Sequence, residues 1–85
     1  MKIALRFFAS VREELGTASE NLALPEGVQT VGAVRALLQK RGGVWASALA
    51  DEKPLRTAFN HVMCAPETAI ADGGEVAFFP PVTGG

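Results

Sequence analysis

The stretch TVGAVRALLQKRGG, residues 30–43, decides the fold, because here the apolar residues keep a helical period. Val31, Val34, Leu37 and Leu38 fall on one face, while Arg35, Gln39, Lys40 and Arg41 are polar. Thr30 stands where a side-chain cap for the first turn belongs. Lys40 and Arg41 fall near the negative end of the backbone dipole, which favours cations, and Gly42-Gly43 supplies the stop. Geometry accounts for both glycines, since the other parts of a phosphate loop are missing. A helix with one apolar face must pack on something, and the flanking segments read as strands.

On the N-terminal side, Met1, Ile3, Leu5 and Phe7 alternate with Lys2, Ala4 and Arg6, a period-two strand with one strongly apolar face. Phe8 breaks the alternation and sends a large ring to the other face. Ser10 and Glu13 have capping-box spacing, which predicts a short helix over Val11–Leu15, ended by Gly16. Glu20–Leu24 is a second strand with Leu22 and Leu24 on one face, followed by the turn Pro25-Glu26-Gly27. The first two strands make a plausible hairpin whose connection contains the short helix.

On the C-terminal side, Trp45, Ala46, Ala48 and Leu49 suggest one more helical turn, and Asp51-Glu52-Lys53-Pro54 a surface turn. Trp45 reads as core or core edge, without the surrounding positive charge of a base-stacking platform. Phe59–Met63 is the next strand, interrupted by Asn60, which is either a turn former or a hydrogen-bonding group. Pro66-Glu67-Thr68 is a loop, Ile70 docks on the core, and Asp72-Gly73-Gly74 turns the chain. In the last strand, Val76–Phe79, both faces are apolar, as in a central strand or one covered by a partner. The order is strand, strand, long helix, strand, strand: an α+β mixed sheet packed against one main helix, whose strand order periodicity does not fix.

With 85 residues the chain makes one small domain, and an internal catalytic cleft would compete with its core for apolar residues. Eight basic and nine acidic residues, well spread, give no electrostatic reason to expect nucleic acid or an anionic membrane. Cys64 and His61 are the only residues of their kinds. One thiol makes neither an internal disulfide nor a metal site, so Cys64 reads as a soft apolar residue and His61 as structural or exposed. No run of apolar residues is long enough to span a membrane and no leader peptide is read, so the cytoplasm is the expected compartment and no metal is expected on the chain.

The unusual object is the end, Pro80-Pro81-Val82-Thr83-Gly84-Gly85. Two prolines remove two backbone donors and favour an extended start, and six extended residues reach about 20 Å. The glycines pass where a branched side chain cannot. A terminal carboxylate is ionised near neutral pH, with an ordinary pKa of about 3.5, and is a poor electrophile. Chemistry there needs prior activation, as an acyl phosphate or adenylate, by machinery outside this chain. A frayed terminus is the plain alternative.

The stretches RFFASVREELG (6–16) and DGGEVAFFPPVTGG (72–85), with FFPPVTGG the most specific piece, resemble the small subunits of molybdopterin synthase. These are sulfur carriers with a ubiquitin-like β-grasp fold. The length, the central helix and Asn60 also fit, so the resemblance covers essentially the whole chain. Gly74 departs from it, since an acidic residue often stands there, a change expected to affect the turn's charge and flexibility.

The resemblance implies a β-grasp domain over 1–79 and a flexible reactive tail over 80–85. A partner enzyme uses ATP to adenylate Gly85, nucleotide being bound only in that activation complex. A sulfurtransferase system then leaves a thiocarboxylate on Gly85. The tail, through Pro80, Pro81, Val82, Thr83 and Gly84, enters the large subunit, in an expected two-plus-two heterotetramer. There the sulfur passes to cyclic pyranopterin monophosphate to build the dithiolene of molybdopterin. The large subunit supplies the main catalytic groups, and the isolated carrier binds no cofactor. Phe8, Met63 and Phe79 match an apolar partner-facing surface. A sulfur carrier for thiamine or another thiolation pathway, a ubiquitin-like modifier joined to lysine, and a binding module with an incidental tail are the alternatives.

Overall fold

The computed structural model describes residues 1–81. Its elements run β1 (Lys2–Phe7), α1 (Ala9–Leu15), β2 (Ser19–Ala23), α2 (Val31–Gln39), α3 (Gly43–Ala48), β3 (Arg56–Phe59), β4 (Val62–Cys64) and β5 (Glu75–Phe79). The sheet order is β2-β1-β5-β3-β4. β1 and β5 pair in parallel, with Leu5 opposite Val76 and Phe7 opposite Phe78, and the other neighbours are antiparallel. The sheet is therefore mixed, with helices on one face, as the patterning implied.

The core lies between that face and the helices. Ile3, Leu5 and Phe7 of β1, Val76 and Phe78 of β5, and Val31, Val34 and Leu38 of α2 are all buried. Phe7 stacks on Phe78 at 6.2 Å and meets Trp45 edge-on at 5.6 Å, so Trp45 belongs to the core edge. Ile70 is buried as expected. Thr30 caps α2, its Oγ1 accepting from the Ala33 N–H at 3.1 Å. Gly32 lets the first turn of α2 lie against Pro66, whose carbonyl accepts from the Gly32 N–H at 2.8 Å.

Four local expectations are revised. The capping box does not form: Phe8 holds the N-cap position of α1 without a side-chain bond, and Val11 and Arg12 donate to its carbonyl. The chain turns so sharply after β1 that Ser10 already lies inside the first helical turn. Gly16 does end α1, at φ +74. At the other end of α2, Gly42 and Gly43 do less stopping than joining. With φ of +73 and +54 they swing the chain straight into α3. Lys40 and Arg41 fall beyond the last turn of α2, and Arg41 instead bonds Glu20 of β2 through its two terminal guanidinium nitrogens and lies over the Trp45 ring at 4.3 Å.

The third revision concerns Phe59–Met63, which is not one strand. Asn60 and His61 take φ of +50 and +68 and make the two-residue turn of the β3–β4 hairpin. Asn60 serves both roles foreseen for it, since its Oδ1 also accepts from the Glu75 N–H at 2.9 Å and its N–H donates to the Glu75 carbonyl. The fourth concerns Gly74, which is buried. A Cβ there would stand 2.4 Å from the Phe59 ring, so the missing side chain also makes room for that ring.

The Arg41 pair ties the end of α2 to the outer strand β2. The hydrogen bond to Arg41 holds the Glu20 carboxyl below its ordinary value, and burial opposes that only in part. A lowered carboxylate pKa contributes stability above its unfolded value, lost as pH falls through the folded one. Wild type is expected to lose stability as pH falls below about 4.5 and on through the lowered folded value, and Glu20→Gln to lose measurably less. Urea midpoints measured across that range check the difference in slope.

Candidate functional site

β5 is the central strand, bonded to β1 on one side and β3 on the other, and it delivers the chain to Pro80 and Pro81. The reading of both its faces as apolar is thereby explained. Phe78 and Val76 enter the core, while Ala77, nearly as buried, lies on the sheet face without helices. Val82, Thr83, Gly84 and Gly85 lie outside the described residues.

At the root of the tail, two of the three residues named as partner-facing come together. Phe8, 41% exposed, and Phe79, half-buried, meet edge-to-face with centroids 6.4 Å apart. With Ala9, Pro80 and Pro81 they line an open apolar depression of about 450 Å³. The alternation of β1 and β5 puts both rings on the face away from the helices, which is why Phe8 breaks the pattern of β1. Arg6, two residues before Phe8 on the same face, reaches over its ring at 5.5 Å and lies 3.9 Å from Glu75.

Met63, the third, is 56% exposed on the same face, but stands two strands away on β4. Ala77 and Ala58 lie between it and β1 in one row, each 7% exposed. The sequence reading missed this small-residue floor. Alanines carry no alternation signal strong enough to place them, and only the β3–β5 register sets them side by side.

The remaining chemical residues are dispersed. His61 is on the hairpin turn with Nε2 3.5 Å from Glu75. Cys64 is half-buried and its carbonyl accepts from the buried Thr57 hydroxyl at 3.1 Å. Among the described residues no group of three His, Cys, Asp or Glu is placed to hold a metal ion, and no helix is long and apolar enough to cross a membrane. The chain leaves the sheet at Pro80, beside the exposed aromatic pair.

Such an arrangement defines a class: a ubiquitin-like β-grasp body with an apolar patch at the base of its C-terminal tail. The chain belongs to the ThiS family, which matches residues 5–85. It is a sulfur carrier of the molybdopterin synthase small-subunit type, non-catalytic by itself. It is 43% identical over 83 residues to the molybdopterin synthase sulfur carrier subunit of Escherichia coli, covering 98% of this chain and 99% of that one. The same subunit of Haemophilus influenzae is 43% identical over 79 residues, covering 93% of this chain and 94% of the other. Among solved structures, SAMP1 from Haloferax volcanii matches all of both chains with a TM-score of 0.76 and 26% identity. The fold is also that found in the complex of subunits 1 and 2 of molybdopterin-converting factor from Helicobacter pylori, at a TM-score of 0.67, 22% identity and full coverage of both chains.

Proposed function

We propose that residues 1–79 form the body and 80–85 the reactive tail, and that Gly85 carries sulfur as a C-terminal thiocarboxylate for transfer to cyclic pyranopterin monophosphate. The observation that carries this reading is the path of β5. A strand held on both sides runs directly into Pro80-Pro81 beside an exposed aromatic pair, so a body docked there aims its last residues into the partner. Pro80 and Pro81 limit the tail's freedom and so lower the ordering cost of insertion. Val82 and Thr83 line the partner's channel, and Gly84 keeps the approach narrow.

The chemistry runs through an adenylyl transfer to Gly85, an acyl transfer to sulfide and a discharge on the acceptor. An adenylating partner joins the Gly85 carboxylate to AMP, with pyrophosphate leaving from ATP. A sulfurtransferase system supplies sulfide equivalents that displace AMP and leave the thiocarboxylate. Discharge on the acceptor, within a large subunit bound two-plus-two, passes the sulfur on while water supplies the oxygen that returns Gly85 to a carboxylate. All of this takes place in the cytoplasm. The 43% identity to two sulfur carrier subunits over nearly their whole length supports the choice of acceptor. Intact-mass and C-terminal peptide analysis after incubation with the activating partner, ATP and a sulfur donor tests the carrier chemistry at Gly85. An oxygen-to-sulfur exchange confined to Gly85 is expected. Sulfur on Cys64 instead, or a Gly85–lysine isopeptide as the end product, would reject it.

Phe8, Phe79 and Met63 form the docking face in this reading. Phe79→Ala is expected to weaken large-subunit binding by about tenfold or more, in the range of a central aromatic contact of ~2 kcal/mol. Because Phe79 is only half-buried, folding stability should change by less. Parallel binding titrations and urea unfolding check the order of the two effects.

A further inference from the structure

The edge of the sheet at β4 has features that the tail chemistry does not use. Phe59 and Val62 flank the two-residue turn and are a hydrogen-bonded pair. Bonded and non-bonded pairs alternate along an antiparallel ladder, so Ala58 and Met63 are the non-bonded pair and Thr57 and Cys64 bond again. The N–H and C=O of Met63 therefore point off the edge of the sheet. Val62, 67% exposed, and Met63, 56% exposed, flank these groups on opposite faces. Within Val62–Cys64 there is no lysine and no proline of the kind that keeps an edge from pairing.

A groove of about 530 Å³ runs along the helix side of this edge, lined among others by Val31, Gly32, Cys64 and Pro66. The start of α2 offers it no anion site. The Val31, Gly32 and Ala33 N–H groups are already given to Thr68 O, Pro66 O and Thr30 Oγ1. The positive charge is elsewhere. Arg35 and Arg56 both line the groove. Arg35 donates to the carbonyls of Leu49, Ala50 and Lys53, which orient it without neutralising it. Among the described residues neither arginine has a carboxylate within ion-pair distance.

We infer that the β4 edge is a second docking site, taking an extended acidic segment of a partner protein as a sixth strand. Met63 exchanges two backbone hydrogen bonds with it, apolar side chains of the segment enter the groove over Val31 and Gly32, and its alternate carboxylates, on the face away from the helices, meet Arg56. Main-chain bonds give the pairing and the alternate side chains give the choice of partner. The inference stands on the fold and on charge, and goes beyond the tail chemistry, whose failure would leave it intact.

The test titrates the isotope-labelled full chain with a blocked hexapeptide of alternating valine and glutamate, and with its valine–lysine counterpart, followed by NMR. The glutamate peptide is expected to shift the Met63 amide and slow its solvent exchange by about tenfold or more. Arg56→Glu should weaken binding by about tenfold or more. Met63→Pro removes the outward donor without breaking a ladder bond, and should abolish binding while the remaining amide spectrum stays folded. The proposal is overturned by equal binding of the two peptides, by shifts confined to the Phe8–Phe79 face or the β2 edge, or by Met63→Pro binding like wild type. It is overturned equally if the chain alone self-associates through β4 and excludes the peptide, which would make a second copy the occupant.

Discussion

Removal of Gly85 is expected to lower sulfur delivery by about a hundredfold or more while leaving the body as stable as before. The shortened chain still ends in a carboxylate, on Gly84, so the loss is one of reach rather than of chemistry. One extended residue is about 3.4 Å, and a misplacement of about 1 Å can already cost about a hundredfold in rate. Adding one residue beyond Gly85 should be as damaging, because the carboxyl carbon of Gly85 then sits in an ordinary amide. Single-turnover transfer from wild-type, shortened and extended carriers to the large subunit measures the effect. Equal thermal midpoints would show that the body is untouched. Delivery at the wild-type rate by the shortened chain would mean that the reacting acyl group is not at Gly85.

Phe78→Ala should have the largest effect on the body. Phe78 is fully buried, stacks on Phe7, and sits on the strand that joins the two halves of the sheet. Truncating a buried phenylalanine costs about 3–5 kcal/mol, through lost transfer energy and the cavity left behind. A domain of this length has a total stability on the order of 4–13 kcal/mol. The variant is therefore expected to lose about a quarter or more of its stability, read as a lower urea midpoint at unchanged slope. Its neighbour Phe79, one residue on and facing the other way, should behave in the opposite manner, affecting binding more than folding. The pair tests whether β5 divides its two faces between core and partner.

Much of the body was legible because its signals are local. The period of Ile3, Leu5 and Phe7, the cap at Thr30 and the apolar face of α2 each depend on residues within two turns of one another. The third strand misled for a related reason. Asn60-His61 lacks the glycine that usually marks a two-residue hairpin turn, so the run from Phe59 to Met63 read as continuous. Capping-box spacing at Ser10 was real in sequence but lost to a sharper turn at Phe8. Strand order was not readable, because the β1–β5 pairing joins residues some seventy positions apart and no periodicity spans them. The same holds for the site. Phe8 and Phe79 carried a hint in their broken alternation, whereas the arginine-lined groove beside β4 exists only once α2 and the hairpin are brought together.

The parallel pairing of β1 with β5 also has a consequence for how the molecule is made. A ribosome releases β1 before β5, yet β5 is the inner neighbour of β1, so the middle of the sheet stays open until β5 has emerged. A nascent chain interrupted before Glu75 lacks the piece that closes the structure and remains an easy target for proteolysis. The architecture thus makes closure of the sheet wait for the very strand from which the tail departs.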